Sequence, residues 1–159
     1  MAMSAAFPLP LDVRNFADGS RDHYMLLSPF VFLDADCVYV TPAGFRTDFA
    51  SVPRVCQGII DATNLVAPGS IPHDWLYATR GLVVPGQPRI SRSRADHVLL
   101  RACLANGMPE VEAMIIFEAV RLGGQSAWDD GESPEILLTL DLYTELSQRY
   151  SSEGPEVLA

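Results

Sequence analysis

The hydrophobic pattern of the chain changes character about a third of the way along, and this change constrains the fold most. From Leu11 to Thr47 apolar residues alternate with polar ones or form short runs between turn signals, which is typical of short antiparallel strands. Later apolar residues recur at helical spacing. The pattern predicts a single α+β domain over residues 1–159. A meander of three to five strands (about 8–50) precedes three to four main helices (about 51–150) and a loose tail (151–159).

Composition and charge exclude several classes of protein. Twenty acidic residues and eleven basic ones give a formal charge of −9, which argues against binding to nucleic acid or to an anionic membrane surface. No stretch approaches the roughly twenty apolar residues of a membrane span. Met1 to Pro10 lacks the pattern of a secretion signal, so we expect synthesis in the cytoplasm. The three widely spaced cysteines predict reduced core residues.

The segment His73-Asp74-Trp75-Leu76-Tyr77 places a base, a carboxylate and a phenol close together. It is predicted to form the first turns of a helix, with Ser70 as N-cap and Pro72 in the first turn. The positive end of the helix dipole would then favour an ionised Asp74 and a neutral, proton-accepting His73.

Helical spacing also groups these side chains. Residues four apart lie above one another, so His73 and Tyr77 share a face, while Asp74 is turned away by about 100°. One helix could therefore present two chemistries. The alternative is that the histidine and the tyrosine are ordinary, partly buried residues without a chemical role.

Asp96 has two interpretations. Ser93 to Asp96 is a variant of the capping box, in which Asp96 would reach back to the backbone at a helix start. Alternatively, Asp96 shares an apolar stripe with Leu99, Leu100 and Cys103, at helical spacing. A carboxylate on that stripe would turn inward and need a partner. A histidine or tyrosine on a facing helix would serve.

The stretch from Gly44 to Arg54 is rich in polar residues and predicts a strand end, a turn and a short helix. Asp48 would cap that helix, with Ser51 adding a local hydrogen bond, although a direct chemical role for Asp48 is an alternative. The following segment, Val55 to Gly69, is interpreted as a connector.

Two further helices complete the prediction. The first begins at Pro109 and runs to Leu122, and because it is apolar on most faces it is expected to be the buried central helix. A turn at Gln125 to Trp128 follows, with the tryptophan closing the core. A final amphipathic helix is predicted to begin at Ser133-Pro134.

Four motifs in this order resemble the domain of unknown function 1353 family of tailed bacteriophages and prophages, over roughly Leu11 to Trp128. They are Gly44-Phe45-Arg46-Thr47-Asp48-Phe49-Ala50-Ser51-Val52-Pro53-Arg54, His73-Asp74-x-Leu76-Tyr77, Ser91-Arg92-x-Arg94-Ala95-Asp96 and Ala119-Val120-Arg121-Leu122-Gly123-Gly124-x-x-Ala127-Trp128. The resemblance implies a virion-associated structural protein of the tail, baseplate or neck. Its partners would be other virion proteins, and its place after synthesis in the host cytoplasm would be the particle.

His73-Asp74-x-x-Tyr77 followed by Ala95-Asp96 is also similar, more distantly, to the helix pair of phospholipase A2. This likeness implies that His73 is a general base, that Asp96 orients it and that Tyr77 bonds Asp96. Asp74 would bind calcium. No Gly-x-Gly calcium loop precedes His73, so Asp48 would have to act as an extra metal ligand.

Three functions therefore compete. A structural protein would use the polar cluster only to hold helices together, and His73 would then be covered. A calcium-dependent hydrolase of lipid or other esters of the host envelope would need His73 in an open cleft beside Asp74. A small protein that binds a host partner is the third hypothesis.

Overall fold

The computed structural model describes residues 5–18, 21–35, 37–48, 53, 56, 58, 66–131 and 134–152. The strands are β1 (Val13–Asp18), β2 (Arg21–Leu26), β3 (Phe30–Asp34), β4 (Cys37–Thr41) and β5 (Arg46–Thr47), and the helices are α1 (Val66–Thr79), α2 (Arg92–Ala105), α3 (Glu110–Gly123), α4 (Gln125–Asp129) and α5 (Leu140–Ser152). The predicted α+β class, with antiparallel strands first and helices after, is confirmed. The expectations for Ser51 and for most of the tail fall outside these residues.

The strands pair in two antiparallel sheets rather than in one continuous meander. β2 lies between β1 and β5, with Met25 opposite Arg46, while β3 and β4 pair only with each other among the described strands. Every residue of β3 is buried, as expected for a continuous apolar run that is covered on both sides. The three-stranded sheet brings Thr47 of β5 next to the helices.

Helix α1 begins earlier than predicted, and this changes the setting of the site. Ser70 lies inside the helix, fully buried, and its hydroxyl donates to the Ala67 carbonyl oxygen at 2.9 Å. The predicted N-cap is therefore wrong, and Pro72 is also inside the helix. His73 and Asp74 lie in the third turn, beyond the reach of a dipole effect that fades within the first turn.

Close contact between α1 and α2 explains why residues with turn-like composition are helical here. A Cβ atom on Gly69 would lie 2.9 Å from the Cys103 sulfur and 3.1 Å from its backbone nitrogen. Only glycine permits this approach. The backbone of α1 at Gly69 therefore packs directly against Cys103 of α2. This close contact brings Asp96 of α2 opposite His73 of α1.

Helix α2 starts at a different cap from the one predicted. The Ser91 hydroxyl oxygen accepts a hydrogen bond from the Arg94 backbone N–H at 3.2 Å, so Ser91, not Ser93, is the N-cap. Asp96 consequently lies in the second turn, too far along to reach the helix start, and it is fully buried. Of its two interpretations, the inward-facing one is correct.

Helix α3 is not the buried central helix that its composition predicted. Its inner face is buried, but Val111 is 71% exposed, Ile115 48% and Leu122 86%. The apolar run exceeds what one packing face can cover, because α3 lies against its neighbours on one side. Trp128 is partly buried, and its ring meets that of Tyr77 edge to face, with centroids 5.2 Å apart.

The last helix begins six residues later than predicted, at Leu140. Thr139 caps it, since its hydroxyl oxygen accepts a hydrogen bond from the Leu142 N–H at 3.2 Å. None of the three cysteines forms a disulfide, and two of them, Cys56 and Cys103, are buried. Within the described segments, no helix has the length and apolar character needed to cross a membrane.

Candidate active site

His73, Tyr77 and Asp96 meet at the interface of α1 and α2. The His73 Nε2 atom lies 3.2 Å from Asp96 Oδ1, and the Tyr77 hydroxyl donates to the same oxygen at 2.5 Å. The two rings on α1 lie side by side, with centroids 4.2 Å apart. Because Oδ1 accepts both bonds, Nε2 carries a proton and, in the neutral ring, Nδ1 carries the lone pair.

Arg92 approaches the other oxygen of this carboxylate and was not anticipated from the sequence. Its Nη1 atom lies 3.5 Å from Asp96 Oδ2, one helical turn earlier on α2. The same guanidinium faces the carbonyl oxygen of Arg121 at 3.3 Å. An arginine four residues before an inward-facing aspartate was the signal that could have revealed it. Arg92 thus holds the second oxygen of Asp96 from within the same helix.

Asp74 contacts a different neighbour, which belongs to the three-stranded sheet. Thr47 of β5 donates its hydroxyl hydrogen to Asp74 Oδ2. The other oxygen, Oδ1, lies 3.9 Å from His73 Nδ1, which is too long for a hydrogen bond. Both of these atoms are buried and have no hydrogen-bond partner among the described residues. The imidazole nitrogen without a described hydrogen-bond partner, Nδ1, is therefore directed at Asp74.

A cleft of about 340 Å³ adjoins this arrangement. The residues that line it are His23, Arg46, Thr47, Asp48, Asp74, Tyr77 and Ala127. Three predicted site residues, Asp48, Asp74 and Tyr77, thus border one cleft. His73 and Asp96 are fully buried behind it.

More than half of the chain matches one known protein family. A family model described as "Protein of unknown function (DUF1353)" matches residues 24–120. The chain belongs to this family. No curated protein and no solved structure matches the chain. The matched region contains all the predicted site residues, from Asp48 to Asp96, whereas His23 and Ala127 of the cleft lie outside it.

The electrostatics of this family member's site centre on His73. Burial would lower the pKa of the imidazole, because it disfavours the charged form, but the carboxylates of Asp74 and Asp96 outweigh this effect and raise the pKa above its ordinary value. Burial, and then the neighbouring Asp96, raise the pKa of Tyr77, while Arg92 opposes them. Tyr77 is therefore a proton donor in hydrogen bonds at neutral pH.

The described side chains do not by themselves form a calcium site. Within residues 5–48 and 66–152, apart from the undescribed gaps, no three His, Cys, Asp or Glu side chains come together as a metal cluster. Calcium takes about six to eight oxygen ligands, and Asp48 and Asp74 would supply a minority of them. One oxygen of Asp74 is already bonded by Thr47. Calcium binding therefore stays a prediction.

Sequence reasoning missed the residues that complete the cleft. Thr47 lies 27 residues from Asp74 along the chain, and nothing local indicates their contact. Arg46 and His23 come from two different strands of the three-stranded sheet. The strand pairing alone brings them to the helix motif.

Proposed function

We propose that this protein is a hydrolase of phospholipase A2-like design that a bacteriophage particle carries, with His73 as its general base. The orientation of the imidazole is the observation that supports this proposal. Nε2 is engaged with Asp96, and Nδ1 has no described partner and points toward the carboxylate that borders the cleft. His73 itself is covered, which differs from the open cleft expected for a hydrolase, so the proposal depends on this orientation toward Asp74.

The chemistry would follow from the histidine and aspartate pair. Nδ1 of His73 takes a proton from a water molecule while the oxygen of that water bonds to the carbonyl carbon of an ester. The imidazolium then passes this proton to the leaving oxygen as its bond to that carbon breaks. The products are an acid and an alcohol, and His73 returns to its neutral form.

The other residues would support this transfer. Asp96 fixes the tautomer and stabilises the imidazolium, as the orienting carboxylate does in a catalytic triad. Tyr77 and Arg92 hold Asp96 in place. Asp74 would position the water between the cleft and Nδ1. Because His73 is fully covered, the reaction requires the side chains at the floor of the cleft to move aside.

The substrate and the setting come from the two resemblances. The proposed substrate is an ester of host envelope lipid, attacked during infection, and the proposed location is the tail, baseplate or neck of the particle. Calcium is a separate part of the proposal, with Asp74 and Asp48 as ligands. The attack of water and the proton transfers through His73 do not depend on calcium.

Hydrolysis of phospholipid vesicles tests the enzymatic proposal. The wild-type protein is expected to release fatty acid, and His73→Gln is expected to reduce the rate by about 10²-fold or more. His97→Gln is a matched control, because His97 is an exposed histidine on α2 whose described contacts are the Ser93 carbonyl oxygen and the ring of Phe117, away from the site. Parallel assays with calcium and with EDTA test the metal. Absence of hydrolysis by the wild type in both conditions would refute the proposal.

The complete burial of His73 favours a second candidate, a structural virion protein. In that case the buried cluster only fixes the packing of α1 on α2. Mass spectrometry of purified particles should find the chain at a fixed copy number. Phage that carry His73→Gln should then keep their infectivity, whereas the hydrolase proposal expects a loss.

A further inference from the structure

One face of the three-stranded sheet carries an unusual set of side chains. Arg14 pairs with Met25, Met25 pairs with Arg46, and Phe16 pairs with His23. Residues directly opposite in antiparallel strands point to the same face, as do residues two apart in one strand. All five therefore lie together. We call this set the arginine face.

Two cations on this face share one aromatic ring. The guanidinium carbons of Arg14 and Arg46 lie 5.4 Å and 5.8 Å from the centroid of Phe16. Within the part of the chain that the structure describes, neither forms an ion pair, although the protein carries a net charge of −9. Like charges drawn to one ring repel each other, and a bound anion would remove this repulsion.

Arg46 also connects the candidate active site to a second cavity. This cavity of about 450 Å³ is lined by Met25, Gly44, Phe45, Arg46, Ala78, Pro134, Glu135 and Ile136. Most of these side chains are apolar. Among the residues that the structure describes, Arg46 alone lines both this cavity and the cleft at Asp74. A cation therefore lies between a cleft lined by two aspartates and a cavity lined mostly by apolar residues.

We propose that Arg46, together with Arg14, binds a phosphate group of an amphiphilic ligand whose apolar chain lies in the cavity at Phe45 and Ile136. The carboxylates of Asp74 and Glu135, one in each cavity, disfavour entry of the phosphate and leave the arginine face as its place. The proposal names the ligand class of the cleft, and in that respect it rests on the proposed function.

Binding of dodecyl phosphate, below its micelle-forming concentration, tests this inference by calorimetry without any reaction. A charge-assisted hydrogen bond is worth about 1.5–3 kcal/mol. Arg46→Gln should therefore raise the dissociation constant by about tenfold or more. Arg14→Gln should raise it less. Arg121→Gln is the matched control, since Arg121 is also exposed and lies 5.6 Å from the ring of Phe117. It should leave binding unchanged.

Two other ligands separate the contributions. Dodecyl maltoside has the chain without the charge, and inorganic phosphate has the charge without the chain, so each should bind at least tenfold more weakly than dodecyl phosphate. Equal binding of dodecyl maltoside would overturn the role of the arginines. Equal binding of inorganic phosphate would overturn the role of the apolar cavity. An unchanged dissociation constant for Arg46→Gln would overturn the proposal as a whole.

The outcomes for binding and for hydrolysis are independent. His73→Gln should bind dodecyl phosphate like the wild type, because His73 lines neither cavity. Arginine-dependent binding by a protein without hydrolytic activity would support this inference and refute the enzymatic proposal. If Arg46→Gln and Arg14→Gln change neither hydrolysis nor binding, the enzymatic proposal would be supported and this inference refuted.

Discussion

Asp96 and Asp74 are two carboxylates beside the same histidine, and their surroundings differ sharply. Asp96 is fully buried, where one oxygen accepts from His73 and Tyr77 and the other faces Arg92. Asp74 is 9% exposed, bonds Thr47 and keeps one oxygen without a described partner at the cleft. Each carboxylate keeps one buried oxygen without a described hydrogen bond, and that oxygen of Asp96 is ion-paired with Arg92. Asp96, the inner carboxylate, which holds two hydrogen bonds and this ion pair, should serve stability. Asp74, the outer carboxylate, which borders the cleft, should serve function.

Removal of the inner carboxylate should have the largest effect. Asp96→Ala leaves the His73 Nε2–H and the Tyr77 hydroxyl buried without an acceptor, and it should destabilise the fold by about 3–5 kcal/mol. Urea unfolding followed by circular dichroism measures this change. Asp96→Asn, which keeps an acceptor oxygen, is the control and should lose less. A loss below about 1 kcal/mol for Asp96→Ala would show that the inner carboxylate is not a stability element.

The contact that brings the inner carboxylate to His73 should come next. Gly69→Ala places a methyl group 2.9 Å from the Cys103 sulfur and forces α1 and α2 apart, at a cost of about 1–3 kcal/mol. Gly86→Ala is not an equivalent control, because Gly86 has a positive φ. Gly58 is exposed and has open space around it, so Gly58→Ala should be nearly neutral. Equal stability of the two variants would contradict the tight helix contact.

The combined influence of both carboxylates should appear as a pH dependence of stability. They raise the pKa of His73, so the folded protein holds this proton more tightly than the unfolded chain does. The resulting stabilisation is complete below the unfolded pKa of about 6.5 and is lost as pH rises through the folded-state pKa. Thermal unfolding of wild type and His73→Gln across this range should show the decline only in the wild type. The same decline in His73→Gln would assign it to another group.

Removal of the outer carboxylate should have the smallest effect on the fold. Asp74→Asn keeps an oxygen for the Thr47 hydroxyl, so the free energy of unfolding should change by less than about 1 kcal/mol. Under the proposed function, vesicle hydrolysis should nevertheless fall strongly. Thr47→Val, which removes the hydroxyl, tests the same contact from the sheet side. A large loss of stability in Asp74→Asn would erase the distinction between the two carboxylates.

Several parts of the fold followed from local patterns. The order of strands before helices was predictable, and so was the inward direction of Asp96 as one of two interpretations, because periodicity indicates which residues share a face. Boundaries were less predictable. Ser70 and Pro72 resembled a helix start, yet both lie within α1, where packing against α2 outweighs local preference.

The opposite error occurred on α3. Its apolar residues predicted a buried central helix, but Val111 and Leu122 are largely exposed. A hydrophobic sequence indicates which residues are able to enter a core, whereas the number of neighbouring elements decides how many of them do so. The same distinction applies to the site. The spacing of His73 and Tyr77 predicted that they share a helix face, but it did not predict how deeply either side chain is buried.

The sequence alone therefore determined the α+β class, the family and the chemical groups on α1 and α2, because these depend on residue type and on spacing within one element. Only the tertiary structure decided that Gly69 brings Asp96 to His73, that Thr47 holds Asp74, and that a cleft borders Asp74 but not His73. These contacts join residues far apart in the chain, and they depend on how closely whole elements pack. Spacing in the sequence does not encode that distance.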